Sequence, residues 1–126
     1  MSQITLEPYL YFTGNCREVM EFYKSVLGGE LTLMPNGDGP SIMHARLESD
    51  GMVILASDGT RTTPYEPSFI SLTLGGSDNE RLTKIFGLLS NGGTVTSDLK
   101  VEMWGDTFGS LTDKYGVDWQ INITAK

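Results

Sequence analysis

The apolar and polar positions in the first half of the chain predict a strand followed by a helix. The apolar, aromatic run 6–12 is typical of a buried strand. After Asn15, apolar residues recur three and four positions apart, which indicates a helix with one apolar face. We expect Asn15 to cap this helix, with Glu18 completing a capping box, and Gly28-Gly29 to end it. The predicted apolar face consists of Val19, Met20, Phe22, Tyr23, Val26 and Leu27.

Three short strands are predicted after this helix, over 30–34, 42–48 and 52–57. The last two are separated by Asp50-Gly51, a pair that favours a two-residue hairpin turn. The segment 58–67 then contains Gly59, Pro64 and Pro67, which is typical of a linker.

The second half repeats the same order of elements. A strand over 69–74 precedes a helix that we expect Ser77 to cap, with Glu80 in the capping-box position. The helix has an apolar stripe and ends at Asn91-Gly92-Gly93. Further strands are predicted over 94–101, 107–112 and 119–124. The stripe consists of Leu82, Ile85, Phe86 and Leu89.

This repetition predicts an α+β fold made of two tandem βαβββ modules. We expect an open, curled, mixed β-sheet around a cleft, with the helices on the outside. The length of 126 residues is that of one domain. We place module one at about 4–58, the linker at about 59–67 and module two at about 68–125 of a single domain, 1–126.

Period-two alternation sorts the strand residues into a face against the helix and a free face. We expect the helix-side residues to be Met43, Ala45, Leu47, Ile70, Leu72, Leu74, Trp119, Ile121 and Ile123. The free face then carries His44, Arg46, Glu48, Phe69, Ser71, Thr73, Gln120, Asn122 and Thr124. Convergent polar groups beside aromatic residues are typical of a small-molecule pocket, although a solvent-exposed sheet face explains the same pattern.

Charge and composition narrow the classes of partner. The formal net charge is −7 and Lys and Arg do not cluster, which argues against a nucleic-acid partner. Cys16 is the single cysteine, so no internal disulfide is possible. The chain starts without a leader-like segment, and no apolar run approaches the roughly 18 residues of a membrane helix. We therefore expect a cytoplasmic protein with no membrane partner.

Several segments, in the same order along the chain, resemble those of a known group, the vicinal oxygen chelate superfamily. This superfamily includes glyoxalase I, extradiol dioxygenases, and fosfomycin and bleomycin resistance proteins. The chain is most similar to its PhnB-like branch, often labelled demethylubiquinone methyltransferase-like. The matching segments span nearly the whole chain. They are Pro8-Tyr9-Leu10-Tyr11-Phe12, Gly14-Asn15-Cys16, Glu21-Phe22-Tyr23, Met43-His44-Ala45, Trp104-Gly105-Asp106-Thr107-Phe108-Gly109 and Asp113-Lys114-Tyr115-Gly116-Val117-Asp118-Trp119.

The resemblance implies a homodimer and a place where a metal site would lie. Metal-dependent members of the superfamily take four ligands, usually His or Glu, from the first, fourth, fifth and eighth strands. Alignment places these positions at or near Pro8, Leu55, Ser71 and Gln120. Such side chains are poor ligands for a divalent cation. We therefore predict no metal site and no cofactor.

Few single residues offer reactive chemistry. His44, the single histidine, is the one candidate for a general base, and a polar residue paired with Glu48 is the plain alternative. Cys16 lies in the first helical turn but is better explained by packing. The aromatic residues near 104–116 could form a wall over a flat ligand or belong to the core. No glycine-rich cofactor loop is present, so the residues do not support methyl transfer.

We therefore expect a metal-free protein that binds a small organic molecule. The candidate contacts are His44, Arg46, Ser71, Trp104, Phe108 and Gln120. One alternative is a lyase or dioxygenase with displaced metal ligands, in which Glu7, Glu48 and Asp118 converge with His44. The other is an interaction module without a small ligand.

Overall fold

Two helices and eight strands make up residues 4–59 and 70–125, which the computed structural model describes. They follow the order βαβββ twice, which confirms the predicted α+β class and the two modules. The chain folds as two compact units, unit one with residues 4–59 and unit two with residues 70–125. The elements are β1 Tyr9–Phe12, α1 Cys16–Leu27, β2 Glu30–Pro35, β3 Ile42–Ser49, β4 Met52–Asp58, β5 Leu72–Gly76, α2 Asn79–Ser90, β6 Thr94–Val101, β7 Thr107–Thr112 and β8 Asp118–Ile123.

Each unit contains one open, mixed sheet of four strands with the same topology. The order is β1-β4-β3-β2 in unit one and β5-β8-β7-β6 in unit two. The first strand of each unit runs parallel to its neighbour, and the other pairs are antiparallel. A helix commonly joins strands of a parallel sheet, and α1 and α2 follow the first strands while covering one face of their own sheet.

The helix-side faces form one apolar core in each unit. In unit one the stripe of α1 is buried against alternate residues of β3 and β4; these residues are Val19, Met20, Tyr23, Leu27, Ala45, Leu47, Ile54 and Ala56. In unit two the stripe of α2 is buried against β7 and β8; these residues are Leu82, Ile85, Phe86, Leu89, Leu111, Trp119, Ile121 and Ile123. The predicted helix stripes are therefore largely confirmed, and each sheet keeps its other face free of its helix.

The turn residues behave as their composition predicts. Asp50 and Gly51 both have positive φ, 50° and 81°, which matches the mirror-image turn of a tight hairpin between β3 and β4. Helix α1 ends at Leu27, and the following Gly28 donates its backbone N–H to the carbonyl oxygen of Lys24. The predicted helix end is confirmed.

The start of α1 differs from the predicted capping box. The side chain of Asn15 makes no capping hydrogen bond. Instead Asp58, at the end of β4, accepts from the backbone N–H of Gly14 at 2.8 Å and of Cys16 at 2.9 Å. Its second oxygen accepts from the N–H of Ile42 at 2.8 Å. One carboxylate therefore joins the helix start, β3 and β4.

The start of α2 also differs from the prediction by one residue. Asp78, and not Ser77, is the cap, because its side chain accepts a hydrogen bond from the N–H of Arg81 at 3.1 Å. This is an ordinary local cap, in which the side chain reaches an N–H group three residues ahead. The two helices are thus capped differently although their modules share one topology.

Two assignments to the helix-side face were wrong. Met43 is exposed, because a register shift at Met34/Pro35 brings Ile42 opposite Pro35, and Ile42 is buried instead. Ile70 is exposed and precedes β5, which begins at Leu72. Strand β1 likewise begins at Tyr9, so residues 6–8 lie before it. The predicted linker beyond Gly59, and Phe69, lie outside the described residues.

Cys16 is fully buried at the start of α1. Burial and, secondly, the negative charge of Asp58 raise the pKa of its thiol to about 12 from 9.0. A thiol that stays protonated is a poor nucleophile, which supports packing as its role. Among the described residues, no helix is long and apolar enough to span a membrane.

We expect the Cys16 thiol of the folded protein to resist a disulfide reagent at pH 8 and to react at once in denaturant. Because the folded pKa is the higher one, this thiol stabilises the fold fully below about pH 9.0, and that contribution is lost as the pH rises toward about 12. Rates of thiol labelling with and without urea check this. Fast labelling without urea would contradict the burial of this thiol.

Candidate functional site

The free face of the sheet in unit one carries two exposed tyrosines, a histidine and an arginine. Tyr9 of β1 is in register with Leu55 of β4, and Leu55 is in register with Arg46 of β3. Tyr11 lies two residues further along β1, on the same face. His44 of β3 is in register with Met34 of β2. Alternation along β3 places His44 and Arg46 on this face, as the sequence predicted.

Tyr9 is the centre of a small aromatic cluster with His44 and Tyr11. Its phenol oxygen lies 3.4 Å from Nδ1 of His44, and the two ring centroids are 6.0 Å apart. Its ring is also tilted against that of Tyr11, with centroids 4.9 Å apart. The contact leaves the imidazole half-buried and gives Nδ1 a polar partner. His44 is therefore held at one edge of a face formed by aromatic rings.

Arg46 is already paired on the same face. Its guanidinium donates to a carboxylate oxygen of Glu48 at 2.8 Å. This hydrogen bond, and then the charges of Glu48 and Glu7, raise the pKa of Arg46 above its ordinary value. The positive charge is thus matched by nearby carboxylates. A ligand that used Arg46 would have to share it with Glu48 or displace Glu48.

The free face of unit two consists mainly of hydroxyl, amide and carboxylate groups held in pairs. Three of these pairs join neighbouring strands: Thr73 donates to Gln120 at 3.2 Å, the hydroxyl groups of Thr96 and Ser110 lie 2.6 Å apart, and Thr112 donates to Asp118 at 2.6 Å. Amides and hydroxyls keep further donors and acceptors after one such bond. This face therefore offers hydroxyl and amide groups for hydrogen bonds, beside the carboxylate of Asp118.

Trp104 and Phe108 form an aromatic pair at one end of the unit-two face. Their rings meet edge to face, with centroids 6.1 Å apart, and Trp104 is 58% exposed. Phe108 is in register with Asn122, which donates to Asp106 at 3.0 Å. That bond and a second from the N–H of Ala125 lower the pKa of Asp106. Trp104 therefore belongs to the surface and not to the core.

The predicted contact residues fall on the two units separately. His44 and Arg46 lie on the free face of unit one, and Phe108 and Gln120 on that of unit two. Ser71 is exposed but precedes β5, and Thr73, not Ser71, is in register with Gln120.

Sequence reasoning missed Tyr9 and Tyr11. The signal was present, because Tyr9 and Tyr11 alternate with the more buried Leu10 and Phe12 along one strand. The apolar run 6–12 predicts a buried strand, whereas an edge strand covered on one face alternates in this way.

The four positions aligned with superfamily metal ligands do not provide a ligand set. The N–H of Leu55 donates to the carbonyl oxygen of Pro8 at 3.0 Å, so Pro8 lies beside β4 just before β1 begins, but neither side chain is a metal ligand. Ser71 and Gln120 offer neutral oxygens that bind divalent cations weakly. Among the described residues, no three His, Cys, Asp or Glu side chains group closely enough to hold a metal ion.

Two βαβββ units, each with one sheet face covered by a helix and one free face, define the fold class of this protein. The same architecture is found in a glyoxylase/bleomycin resistance protein/dioxygenase domain from Frankia sp. EAN1pec, with a TM-score of 0.69, 15% identity and 99% of each chain covered. That likeness concerns the fold alone. The chain has the fold of the glyoxalase, bleomycin resistance and dioxygenase superfamily, as its sequence motifs indicated.

The family of the chain is shown by a family model. The model of the family described as 3-demethylubiquinone-9 3-methyltransferase matches residues 4–122, and the chain belongs to this family. Protein PA1353 from Pseudomonas aeruginosa is 35% identical, with a TM-score of 0.88 over 98% of this chain and 100% of that one. A PhnB protein from Bacillus cereus, titled a putative 3-demethylubiquinone-9 3-methyltransferase, is 24% identical, with a TM-score of 0.76 over 96% and 100%. The predicted PhnB-like branch is confirmed.

Proposed function

We propose that this protein binds a small organic molecule on the free face of unit one, without a metal ion. The observation that carries the proposal is the cluster of Tyr9, Tyr11 and His44, in which the phenol of Tyr9 reaches the imidazole. Adjoining exposed aromatic rings form a contiguous apolar surface, which often marks a binding site. A few polar groups among apolar walls are the usual lining of ligand sites.

The geometry favours a flat ligand with one polar group. The rings of Tyr9 and Tyr11 offer an apolar surface, and the imidazole of His44 can donate or accept one hydrogen bond at its edge. Leu55 and Met34 extend the apolar surface on the same face. Because Arg46 is paired with Glu48, this surface has little net positive charge, and a neutral ligand suits it better than a strongly anionic one.

For unit two, taken by itself, we propose Trp104, Phe108 and Gln120 as candidate ligand contacts, with Thr73 in the place predicted for Ser71. This is supported by the exposure of Trp104 and by the register of Thr73 with Gln120. Amide and hydroxyl groups there would hydrogen-bond a polar rim of a ligand.

The donor chemistry of the sequence supports binding without a metal. The side chains of Pro8 and Leu55 have no atom that binds a metal ion, and those of Ser71 and Gln120 have only neutral oxygens. Binding to such groups would not offset the free energy needed to dehydrate a divalent cation. The family description names methyl transfer to a demethylubiquinone. A flat quinone-like ring fits the aromatic cluster, but the sequence has no glycine-rich loop for a nucleotide-derived methyl donor. We therefore propose ligand binding and assign no reaction.

A thermal-shift screen of flat, neutral ring compounds, including quinones, tests the proposal. At a hundred times its dissociation constant, a compound that binds the folded state stabilises it by about 2.7 kcal/mol. We expect His44→Ala to abolish the shift and Tyr9→Phe to reduce it, because the latter loses only the hydroxyl contact to His44. Glu21→Ala, on the exposed side of α1, is the matched control and should keep the full shift.

The same screen with a chelator separates the competing functions. A shift that persists in chelator supports metal-free binding. A shift lost in chelator, with stoichiometric zinc, iron or manganese in the untreated protein, would favour a metalloenzyme. An unchanged shift in His44→Ala would remove His44 from the site. The absence of any shift across the screen would leave an interaction module as the better explanation.

A further inference from the structure

The chain contains two Asn-Gly pairs, Asn36-Gly37 and Asn91-Gly92, in structurally different places. An asparagine followed by glycine is prone to a spontaneous reaction within its own backbone. The amide nitrogen of the glycine attacks the side-chain carbonyl carbon of the asparagine. Glycine permits this because it has no Cβ to hinder the approach and accepts many backbone conformations. The surrounding structure then decides which pair reacts.

Asn36 lies in the connection between β2 and β3, where little holds it. Its side chain is exposed and makes no hydrogen bond to another described residue. Its backbone N–H donates to the carbonyl oxygen of Ser41 at 2.9 Å, which ties one side of the turn. Gly37 has φ of 65°, and a Cβ at this position would have nothing within 4 Å. The Asn36-Gly37 peptide can therefore rotate at small cost.

Asn91 lies at the end of α2, where its backbone is held on both sides. Its backbone N–H donates to the carbonyl oxygen of Leu88 at 3.3 Å. The N–H of Gly93 donates to the carbonyl oxygen of Ser90 at 2.9 Å. A Cβ on Gly92 would lie 3.3 Å from the side chain of Lys114, so this glycine packs closely. Rotation of the Asn91-Gly92 peptide has to disturb the helix end and these contacts.

We infer that Asn36 is a site of spontaneous deamidation in the folded protein, whereas Asn91 is protected. The nitrogen of Gly37 forms a bond to Cγ of Asn36, the side-chain NH2 group leaves as ammonia with the proton lost from the N–H of Gly37, and a cyclic imide remains. Water then opens the imide at one of its two carbonyl carbons, which yields either aspartate or isoaspartate. The reaction needs only water and no oxidant or cofactor. The inference is independent of any ligand at the His44 cluster.

The products change the connection that leads into β3. Both add one negative charge to a chain whose formal net charge is −7. Isoaspartate also inserts one side-chain carbon into the main chain between β2 and β3. Because loop length fixes the register of a hairpin, the insertion acts at the irregular pairing of Pro35 with Ile42, close to His44. Asn36 is thus a modification site near the strand that carries His44 and Arg46.

Incubation of the full folded chain in mildly alkaline buffer, followed by peptide mass mapping, tests the inference. We expect the peptide with Asn36 to gain one mass unit at least about tenfold faster than the peptide with Asn91. A tenfold ratio corresponds to about 1.4 kcal/mol of extra local opening at Asn91. Asn36→Gln should remove this early gain.

The same measurement in concentrated urea is the control for sequence effects. There the two peptides should react at similar rates, because both pairs are Asn-Gly and no folded structure protects either. Equal rates in the folded protein, or a faster reaction at Asn91, would overturn the inference. So would an unchanged rate ratio between folded and unfolded protein, because the protection would then not come from the structure.

Discussion

Asp113→Ala is expected to lower the free energy of unfolding by about 4 kcal/mol, as measured by urea denaturation. Asp113 is only 3% exposed and follows β7 directly. One carboxylate oxygen accepts from the N–H groups of Tyr115 and Val117, at 2.9 and 3.0 Å. The other accepts from the indole N–H of the buried Trp119 at 2.9 Å.

The size of this effect follows from the donors that would be left behind. Alanine would remove a carboxylate that accepts from three N–H groups, in one part-buried and two buried hydrogen bonds, and the methyl group could not replace it as an acceptor. Each such loss costs about 1 to 3 kcal/mol, with partial relief from water that enters. A domain of this kind is stable by about 5 to 15 kcal/mol, so the variant would retain only part of its stability.

Two variants separate this network from a general effect of removing an aspartate. Asp118→Ala, in the same hairpin, loses a bond to the hydroxyl of Thr112 on the less buried face and should cost about 1 kcal/mol. Asp113→Asn keeps an acceptor for Tyr115 and Val117 but turns an N–H group toward Trp119, and should fall between the two. If Asp113→Ala proved no worse than Asp118→Ala, the carboxylate would not stabilise the turn as its contacts indicate.

The order of elements was predictable because each signal for it is local. The apolar spacing of α1 and α2, the glycines after each helix and the Asp50-Gly51 turn depend on residues a few positions apart. Because the same signals recur in both halves, each half supports the prediction of two modules. The strands β6 and β7 lie over Thr94–Val101 and Thr107–Thr112, the ranges predicted for them.

The errors arise where distant residues or strand irregularities decide the structure. Asp58 caps α1 from 42 residues away along the chain, and no pattern near Asn15 shows this. The register shift at Pro35 exchanges Met43 for Ile42 in the core, because one extra residue reverses the alternation. Neither feature changes the hydrophobic pattern of the sequence in a way that predicts it.

The candidate site was predictable only in part, for a related reason. Alternation alone placed His44 and Arg46 on the free face, but the pairing of β1 with β4 is needed to bring Tyr9 next to them. The same pairing in unit two exchanges Ser71 for Thr73 beside Gln120. Which residues share a strand face can be read from sequence, whereas which residues are neighbours across strands requires the register.

The two modules share a topology but present different chemistry on their free faces. Unit one presents tyrosine rings, an imidazole and a paired guanidinium. Unit two presents hydroxyl and amide groups, with one aromatic pair at its end. The residues that build the core are apolar in both modules, whereas the faces that no helix covers carry different side chains. Such divergence is the pattern expected where a duplicated fold is retained and its binding surfaces change.

Gly29→Ala is expected to lower the free energy of unfolding by about 3 kcal/mol or more, for two reasons that add. Gly29 has φ of 87°, a left-handed conformation that costs a residue with a Cβ about 1 to 2 kcal/mol. A Cβ there would also meet the carbonyl oxygen of Glu48 and lie 2.6 Å from Cβ of Ser49. Overpacking of this kind adds about 1 to 3 kcal/mol, because backbone must move.

Gly28→Ala provides a control in the adjacent residue that isolates the steric part. Gly28 has a similar φ of 76°, but a Cβ there would have nothing within 4 Å. Its ψ of −162° lies in a region that is nearly exclusive to glycine, so the variant should lose about 1 to 3 kcal/mol, the conformational part alone. Urea denaturation of both variants gives the difference directly, and that difference measures how closely the end of α1 packs on the β3–β4 hairpin. Equal losses of unfolding free energy in the two variants would mean that the backbone shifts at Ser49 to accommodate the new Cβ. The close approach of Gly29 to the hairpin would then not be fixed in the folded protein.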